Sequence, residues 1–265
     1  MGEPVDRVTP QPEHNAPVEW ALADSTGPVT VRATGVDDVA AVSRLDRRRL
    51  VSIEVPLHLA AAAWPEGVPL DVVLSEPARE AAHLYDLNPV ARQRPVRVTV
   101  PGRAGLATAA RIAMALQLPV RLLVVQPSPG LLAELHEVLD LYLHGPQTSA
   151  PVEFFQSALA CALHGDAPPA WMALELDPDW FPRVDDADVH AWPPQRAGFV
   201  REHLAQLVSA GSECATCPFR EWCQGYFKWP DAGYDCGGVK ELLARVGESA
   251  VQLARDLNDA PSAGR

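Results

Sequence analysis

Apolar residues along this chain recur with two alternating patterns, one typical of strands and one typical of helices. Short runs rich in Val, Leu and Ile, bounded by Gly or Pro, predict strands at 29–34, 50–55, 70–74, 96–100 and 120–125, with a last candidate at 171–176. The run at 120–125 is nearly continuous in apolar residues, which is typical of a strand that is buried on both faces of a sheet.

Between these strands the apolar spacing widens to that of one helix face. It predicts helices at 37–45, 57–63, 78–85, 106–118, 131–143 and 152–164. Repeated strand–helix units with short linkers predict an α/β fold with a parallel sheet and helices outside it. Five or six strands suit a partial (β/α) barrel or an open sheet better than a full eight-stranded barrel, which takes about 250 residues by itself.

Composition divides the chain into three predicted parts. Residues 1–27 are rich in Pro and acidic residues and are expected to form a flexible leader. Residues 28–192 form the α/β region, whose end is marked by a polar, Pro- and Asp-rich stretch. Residues 193–258 form a smaller cysteine-rich module between two further predicted helices, at 199–210 and 239–257.

The charge of the chain excludes two classes of partner. The formal net charge is -12, and nonspecific binding to nucleic acid or to an anionic membrane needs a basic surface. No apolar run approaches the roughly 18 residues that span a bilayer, and the N-terminus has no signal-peptide layout. We therefore expect a cytoplasmic protein, and in that reducing compartment clustered cysteines are metal ligands more often than disulfides.

Four of the five cysteines fall within 23 residues, in the spacing C-x2-C-x5-C-x12-C. They are Cys214, Cys217, Cys223 and Cys236. The first two can point into one turn, the third can close the same loop, and Gly225, Pro230 and Gly233 let the chain double back to the fourth. Four such thiolates predict one metal centre, either a tetrahedral zinc site or a [4Fe-4S] cluster.

Two features favour the cluster over zinc. Structural zinc sites usually pair two C-x2-C hooks, whereas this chain has one hook followed by two single cysteines. Aromatic residues also crowd the loop, where they would exclude water and tune a cluster's potential. They are Phe219, Trp222, Tyr226, Phe227 and Trp229. The alternative is a zinc-stabilised binding or scaffold protein with no redox role.

The segment CATCPFREWCQGY, followed by YDCGGVKELLARV, resembles the C-terminal SPASM module of radical SAM enzymes that modify peptides. The usual form of that module is C-x2-C-x5-C-x-G-G-C, then an aromatic-x-Cys that leads into a helix. The resemblance covers roughly residues 211–250. It implies that Cys214, Cys217, Cys223 and Cys236 hold an auxiliary [4Fe-4S] cluster, and that the α/β region is a partial radical-SAM-like barrel.

Two departures from the family pattern limit what the resemblance implies. Phe227 stands where the module has a further cysteine that serves another cluster, and Cys161 is the only cysteine upstream. The chain also lacks C-x3-C-x2-C, the three thiolates that leave one iron open for S-adenosylmethionine. We therefore expect no catalysis by this chain alone. The resemblance implies an accessory role in maturing a ribosomally synthesised peptide or protein, with a complete radical SAM enzyme or a precursor peptide as partner.

Two other features of the α/β region are candidate sites. Cys161 lies among apolar residues in a predicted helix, which favours a buried structural thiol over a nucleophile. The stretch Gly102-Arg103-Ala104-Gly105 joins a strand to a helix and could cradle an anion. It lacks the glycine pattern of a dinucleotide fingerprint, which favours a tight turn.

Two charged patches are interpreted as solvated surface in preference to binding sites. Glu175, Asp177 and Asp179 follow the last strand candidate, at an edge where α/β sheets often bind ligands. The basic run at 46–49 could dock an acidic partner, but a solvated helix end is the simpler interpretation.

Overall fold

A computed structural model of the protein describes residues 29–48, 50–145, 150–164 and 192–259. Within them, five strands form one sheet in which each strand pairs in parallel with the next along the chain. The strands are β1 (Val29–Arg32), β2 (Leu50–Pro56), β3 (Leu70–Val73), β4 (Val96–Pro101) and β5 (Val120–Leu123). The predicted α/β fold with a parallel sheet is therefore confirmed. The candidate strand at 171–176 and the predicted leader at 1–27 lie outside the described residues.

Helices connect the strands and continue after the last one. They are α1 (Asp38–Ser43), α2 (Pro77–Glu80), α3 (Asn88–Ala91), α4 (Leu106–Ala115), α5 (Pro129–His144), α6 (Glu153–His164), α7 (Trp192–Ser209), α8 (Arg220–Cys223) and α9 (Gly237–Asp259). Single turns or short runs of 3-10 helix lie at Leu57–Leu59, Ala81–Leu87, Glu213–Ala215 and Tyr226–Lys228.

Two predicted helices take a different form. At 57–63 the chain makes only a short 3-10 turn, where the indole N–H of Trp64 donates to the carbonyl of Leu59 at 2.9 Å. At 78–85 the predicted helix is split into α2 and a 3-10 run.

One face of the sheet is apolar and lies under the connecting helices. Side chains alternate between faces along a strand, and one set is almost entirely buried: Val31, Ile53, Val55, Leu70, Val72, Val98, Val100, Val120 and Leu122. The 3-10 run at Ala81–Leu87 packs against α4, and α4 packs against α5. Successive connections of like hand place their helices on the same face when the strands follow in sequence, which explains this side-by-side packing.

The opposite face of the sheet carries charge. The register sets Glu54 opposite Asp71, and Asp71 opposite Arg97. Asp71, only 2% exposed, accepts hydrogen bonds from Arg97 Nη2 at 2.6 Å, Thr99 Oγ1 at 2.6 Å and Arg121 Nη1 at 3.3 Å. Removing one partner from a buried network of this kind costs about 3–5 kcal/mol, because it leaves charge uncompensated.

The C-terminal helix α9 closes the fold against the α/β layer. It packs on α6 and on α5, with Val239, Leu242, Leu243 and Val246 buried on one stripe. At Gly238 a Cβ would stand 2.5 Å from Leu132 Cδ1 of α5, so the two helices approach at a glycine. In the described part of the chain, no helix has both the length and the apolar character needed to cross a membrane.

Candidate metal centre

All four clustered cysteines line one small cavity: Cys214, Cys217, Cys223 and Cys236. Cys214 and Cys236 are buried and the other two are half-buried, and none of them is in a disulfide. The aromatic and aliphatic side chains of the lining are Phe219, Phe227, Val239 and Leu243. The convergence that the spacing predicts is therefore present, although the last cysteine stands 13 positions after the third.

The first two cysteines are positioned by the end of α7. Gly211 takes a left-handed conformation with φ of +70°, which ends the helix and turns the chain. The hydroxyl of Ser212 then accepts the backbone N–H of Cys214 at 3.2 Å and caps a short 3-10 turn. This turn places Cys214 at the cavity and lets Cys217 follow from the next bend.

Cys223 sits at the end of α8, where two consecutive left-handed residues reverse the chain. Gln224 has φ of 49° and Gly225 has φ of 82°, so the backbone N–H groups of Gly225 and Phe227 point at the Cys223 sulfur. A Cβ at Gly225 would stand 2.8 Å from Leu207 Cδ1. Backbone N–H groups directed at a sulfur stabilise its anionic, metal-bound form.

Cys236 reaches the cavity after a loop that is docked on the carboxyl end of β5. The hydroxyl of Tyr226 donates to Val124 O at 2.8 Å and that of Tyr234 donates to Pro127 O at 2.7 Å. The Gln126 side-chain amide donates to Asp231 O at 2.9 Å. These bonds link the cysteine-rich segment to the sheet.

An aromatic wall backs the reversal at Gly225. His203 of α7 donates from Nε2 to Gly225 O at 3.2 Å. Its ring stacks on Phe199 at a centroid distance of 5.9 Å and meets Trp229 edge-on at 5.7 Å. Burial lowers the pKa of His203, although the hydrogen bond to Gly225 opposes that effect. The imidazole is therefore neutral at pH 7 and acts as a packed hydrogen-bond donor.

Burial keeps two of the thiols protonated in the absence of metal. It raises the pKa of Cys223 to about 11 and that of Cys236 to about 12, and the neighbouring cysteines add to both effects. A metal that binds here must therefore displace protons from these sulfurs, which links its affinity to pH.

Four charged side chains also line the cavity: Glu213, Arg220, Lys228 and Lys240. The guanidinium of Arg220 pairs with Glu221 at 3.2 Å. Glu213 Oε1 lies 2.7 Å from Lys228 Nζ, and its Oε2 pairs with Lys240. Glu213 Oε1 also accepts the backbone N–H of Cys236 at 3.3 Å. The hydrogen bonds from the two lysines lower the pKa of Glu213 to about 2, so this carboxylate is ionised at neutral pH.

The four sulfurs line the same cavity but are not arranged as a coordination shell. Among the described residues, no three His, Cys, Asp or Glu side chains stand in a geometry that would hold a metal ion. A single zinc would need the sulfurs about 2.3 Å from the ion. A cubane cluster takes each thiolate on a different iron, so it separates the four sulfurs more widely. Four thiols that line one cavity are suitable ligands for a metal–thiolate centre. To bind a single ion, their sulfurs would have to move closer together.

The other candidate sites have structural roles or lie outside the described residues. Cys161 is buried on α6, as predicted. The carboxylate of Glu134 accepts the backbone N–H groups of Gly105 and Ala107 at the start of α4, at 3.2 and 2.8 Å. The chain thus supplies its own anion at the proposed cradle of 102–105, which supports the tight-turn interpretation.

Of the two charged patches, only one can be placed. The described residues of the basic run, 46–48, are exposed at the surface. The acidic edge formed by Glu175, Asp177 and Asp179 lies outside the described residues.

The sequence analysis missed Glu213, Lys228 and Lys240 as part of the site. A signal for the two lysines was present in the composition, because the chain contains no other lysine. Glu213 carried no such signal, since its role depends on both lysines reaching it from later in the chain.

Comparisons of the chain with protein-family models, with curated proteins and with solved structures find no match. The similarity to SPASM modules therefore rests on the cysteine motif and its surroundings alone.

Proposed function

We propose that this chain holds one [4Fe-4S] cluster on Cys214, Cys217, Cys223 and Cys236. We propose further that it acts as an accessory iron–sulfur protein in the radical-SAM-dependent maturation of a ribosomally synthesised peptide or protein. The observation that carries the first part is the convergence of all four cysteines on one cavity. Such a cluster, when bound, supplies a one-electron couple and a cross-link between four points of the chain.

The surroundings of the cysteines support a cluster more than a zinc site. The cavity is walled by aromatic and aliphatic side chains, and two backbone N–H groups point at the Cys223 sulfur. Apolar surroundings and hydrogen bonds to sulfur are what set a cluster's reduction potential. A zinc-stabilised scaffold is the competing function, and metal analysis separates the two.

The accessory role is supported by the lack, in this sequence, of cysteines that could hold a cluster with an iron open to S-adenosylmethionine. Four thiolates on one cluster leave no iron open for S-adenosylmethionine, and the sequence offers no C-x3-C-x2-C motif. A complete radical SAM enzyme would supply that chemistry. This chain would bind the precursor peptide or the enzyme in the cytoplasm, or relay an electron. The peptide-maturation part rests on the SPASM resemblance.

The fold is compatible with a partial radical-SAM-like barrel. Strands that follow in sequence order keep their helices on one face, and that is also the arrangement in a (β/α) barrel. The second face carries Glu54, Asp71, Arg97 and Arg121 in place of the apolar residues that helices on both sides would require. The module that follows would then be SPASM-like.

Metal analysis tests the proposed cluster, and Cys161 provides the matched control. We expect anaerobically purified protein to be brown and to contain about four irons and four sulfides per chain. Cys217→Ser should lose most of the iron, whereas Cys161→Ala, which also removes one buried or half-buried thiol, should retain it. A colourless protein with one zinc per chain, or equal iron loss in both variants, would overturn the assignment.

A second assay tests the accessory role. With dithionite and S-adenosylmethionine, the iron-loaded protein alone should release no 5′-deoxyadenosine above the blank, because its cluster has no open iron. Release should appear once a complete radical SAM enzyme encoded beside this gene is added, together with its precursor peptide. Turnover by the chain alone would contradict the proposal. So would a complete enzyme that modifies the peptide equally well with and without this chain.

A further inference from the structure

The chain uses arginine almost exclusively as its cation, with one exception at the cysteine cavity. Of 22 Lys and Arg residues, only Lys228 and Lys240 are lysines. Both line the cavity that the four cysteines share. Arg220 also lines the cavity, but its guanidinium pairs with Glu221. The two lysines are the cations of the lining that pair with Glu213.

The geometry shows what the two ammonium groups do. Lys228 is 5% exposed; it pairs with Glu213 and also donates to Tyr234 O, in the loop that delivers Cys236. Lys240 approaches from the first turn of α9 and pairs with the other oxygen of Glu213. One carboxylate therefore fixes two cations beside the sulfurs, and the three groups together carry one net positive charge.

Electrostatics favours positive charge at this place. Burial by itself would lower the pKa of Lys228, but the hydrogen bond to Glu213 and the charge of that carboxylate oppose burial, and the net shift is upward. For Lys240 the hydrogen bond to Glu213 is the largest cause and again raises the pKa. Both ammonium groups are thus charged at neutral pH. An oxidised [4Fe-4S] core of charge 2+ with four thiolates carries two negative charges, and reduction adds a third.

We propose that Lys228 and Lys240 neutralise this metal–thiolate centre and raise its reduction potential, with Glu213 as the positioning residue that holds both. This inference rests on the proposed function, because it takes the centre to be a cluster. A lysine suits the task since its ammonium is a compact point charge with three donors. Lys228 uses those donors on a carboxylate and on a carbonyl in a closed space where a planar guanidinium would be harder to fit.

The test is a redox titration of the full-length, iron-loaded protein. Wild type, Lys228→Met, Lys240→Met and Lys240→Arg are reconstituted, and iron and sulfide are counted for each. The midpoint potential is then read from the visible spectrum and from the EPR signal of the reduced cluster. We expect both methionine variants to shift to a lower potential, because loss of a positive charge disfavours the added electron. Lys240→Arg should stay near wild type.

Two further variants separate a local charge effect from net charge and from structure. Arg79→Met removes an exposed cation that pairs with Glu76, away from the cavity lining, and should leave the potential unchanged. Glu213→Gln removes the negative charge and keeps one oxygen for the lysines, and should shift the potential upward. If Lys228→Met does not take up iron, Lys240→Met decides, since its side chain is about a third exposed.

The outcomes distinguish this inference from the function on which it rests. Protein that takes up no iron overturns the proposed function, and the role of the lysines with it. Protein that takes up iron but shows the same potential in wild type and in Lys240→Met overturns the inference alone. Lys240→Arg falling as far as Lys240→Met would also overturn it, because a charge effect must be rescued by charge.

Discussion

Gly225→Ala should destabilise the cysteine segment more than an alanine substitution does at a left-handed glycine whose Cβ position has no atoms nearby. The backbone there has φ of 82°, and an L side chain in that region costs about 1–2 kcal/mol. The added Cβ would also stand 2.8 Å from Leu207 Cδ1 and 3.2 Å from His203 Cδ2. Leu207 is only 4% exposed, so it has little room to yield, and overpacking of this kind costs about 1–3 kcal/mol.

Gly211→Ala is the matched control for this prediction. Gly211 has φ of 70° and no atom within 4 Å of its would-be Cβ, so the substitution carries the backbone strain without the clash. The lower entropy of alanine in the unfolded chain affects both variants alike and cancels in the comparison. We expect Gly211→Ala to lose about 1–2 kcal/mol and Gly225→Ala to lose about 1–3 kcal/mol more.

Urea unfolding followed by far-UV circular dichroism measures both losses as a shift in midpoint at constant slope. The variants are compared at equal metal content, because bound metal stabilises the folded state. Truncating Leu207 to Ala should remove most of the extra cost in the double variant with Gly225→Ala. Equal losses in the two glycine variants, or no rescue by the truncation, would refute the packing argument.

Two further substitutions test the docking of the module and the charged face of the sheet. Tyr226→Phe should cost about 1–3 kcal/mol, because it leaves the buried carbonyl of Val124 without its hydroxyl donor; a urea midpoint equal to wild type would show that the contact is not needed. Asp71→Asn should cost about 3–5 kcal/mol in the same assay, because Arg97 and Arg121 lose the carboxylate between them; a loss below 1 kcal/mol would mean that other groups compensate.

The strands were predictable because local pattern decides them. All five predicted strands within the described residues are present, and their ends differ by at most two residues. The burial of β5 on both faces also follows the prediction, with all four of its residues buried. The polar face could not be predicted from spacing. Arg121 appears as an interruption in an apolar run, and only the register brings it to an aspartate 50 positions earlier.

The convergence of the cysteines was predictable, while their electrostatic environment was not. Spacing constrains where the thiols can meet, and the loop glycines that the sequence analysis named include Gly225, where the reversal occurs. Glu213 gains its role because Lys228 and Lys240 arrive 15 and 27 positions later. Pairing between residues far apart in the sequence produces no periodic pattern. The position of both lysines in this one segment was nevertheless a signal that they share a role.

The places where the chain departs from the SPASM pattern acquire a physical role in this fold. In C-x-G-G-C, Tyr226 stands at the second glycine and Phe227 at the last cysteine. Each is 1% exposed. The Tyr226 hydroxyl binds the chain just after β5, and the Phe227 ring meets Phe154 of α6 edge-on at 6.4 Å. A cysteine at 227 would therefore open a void beside α6, and a glycine at 226 would remove the hydrogen bond to Val124, just after β5. Both positions fasten the cysteine segment to the α/β layer.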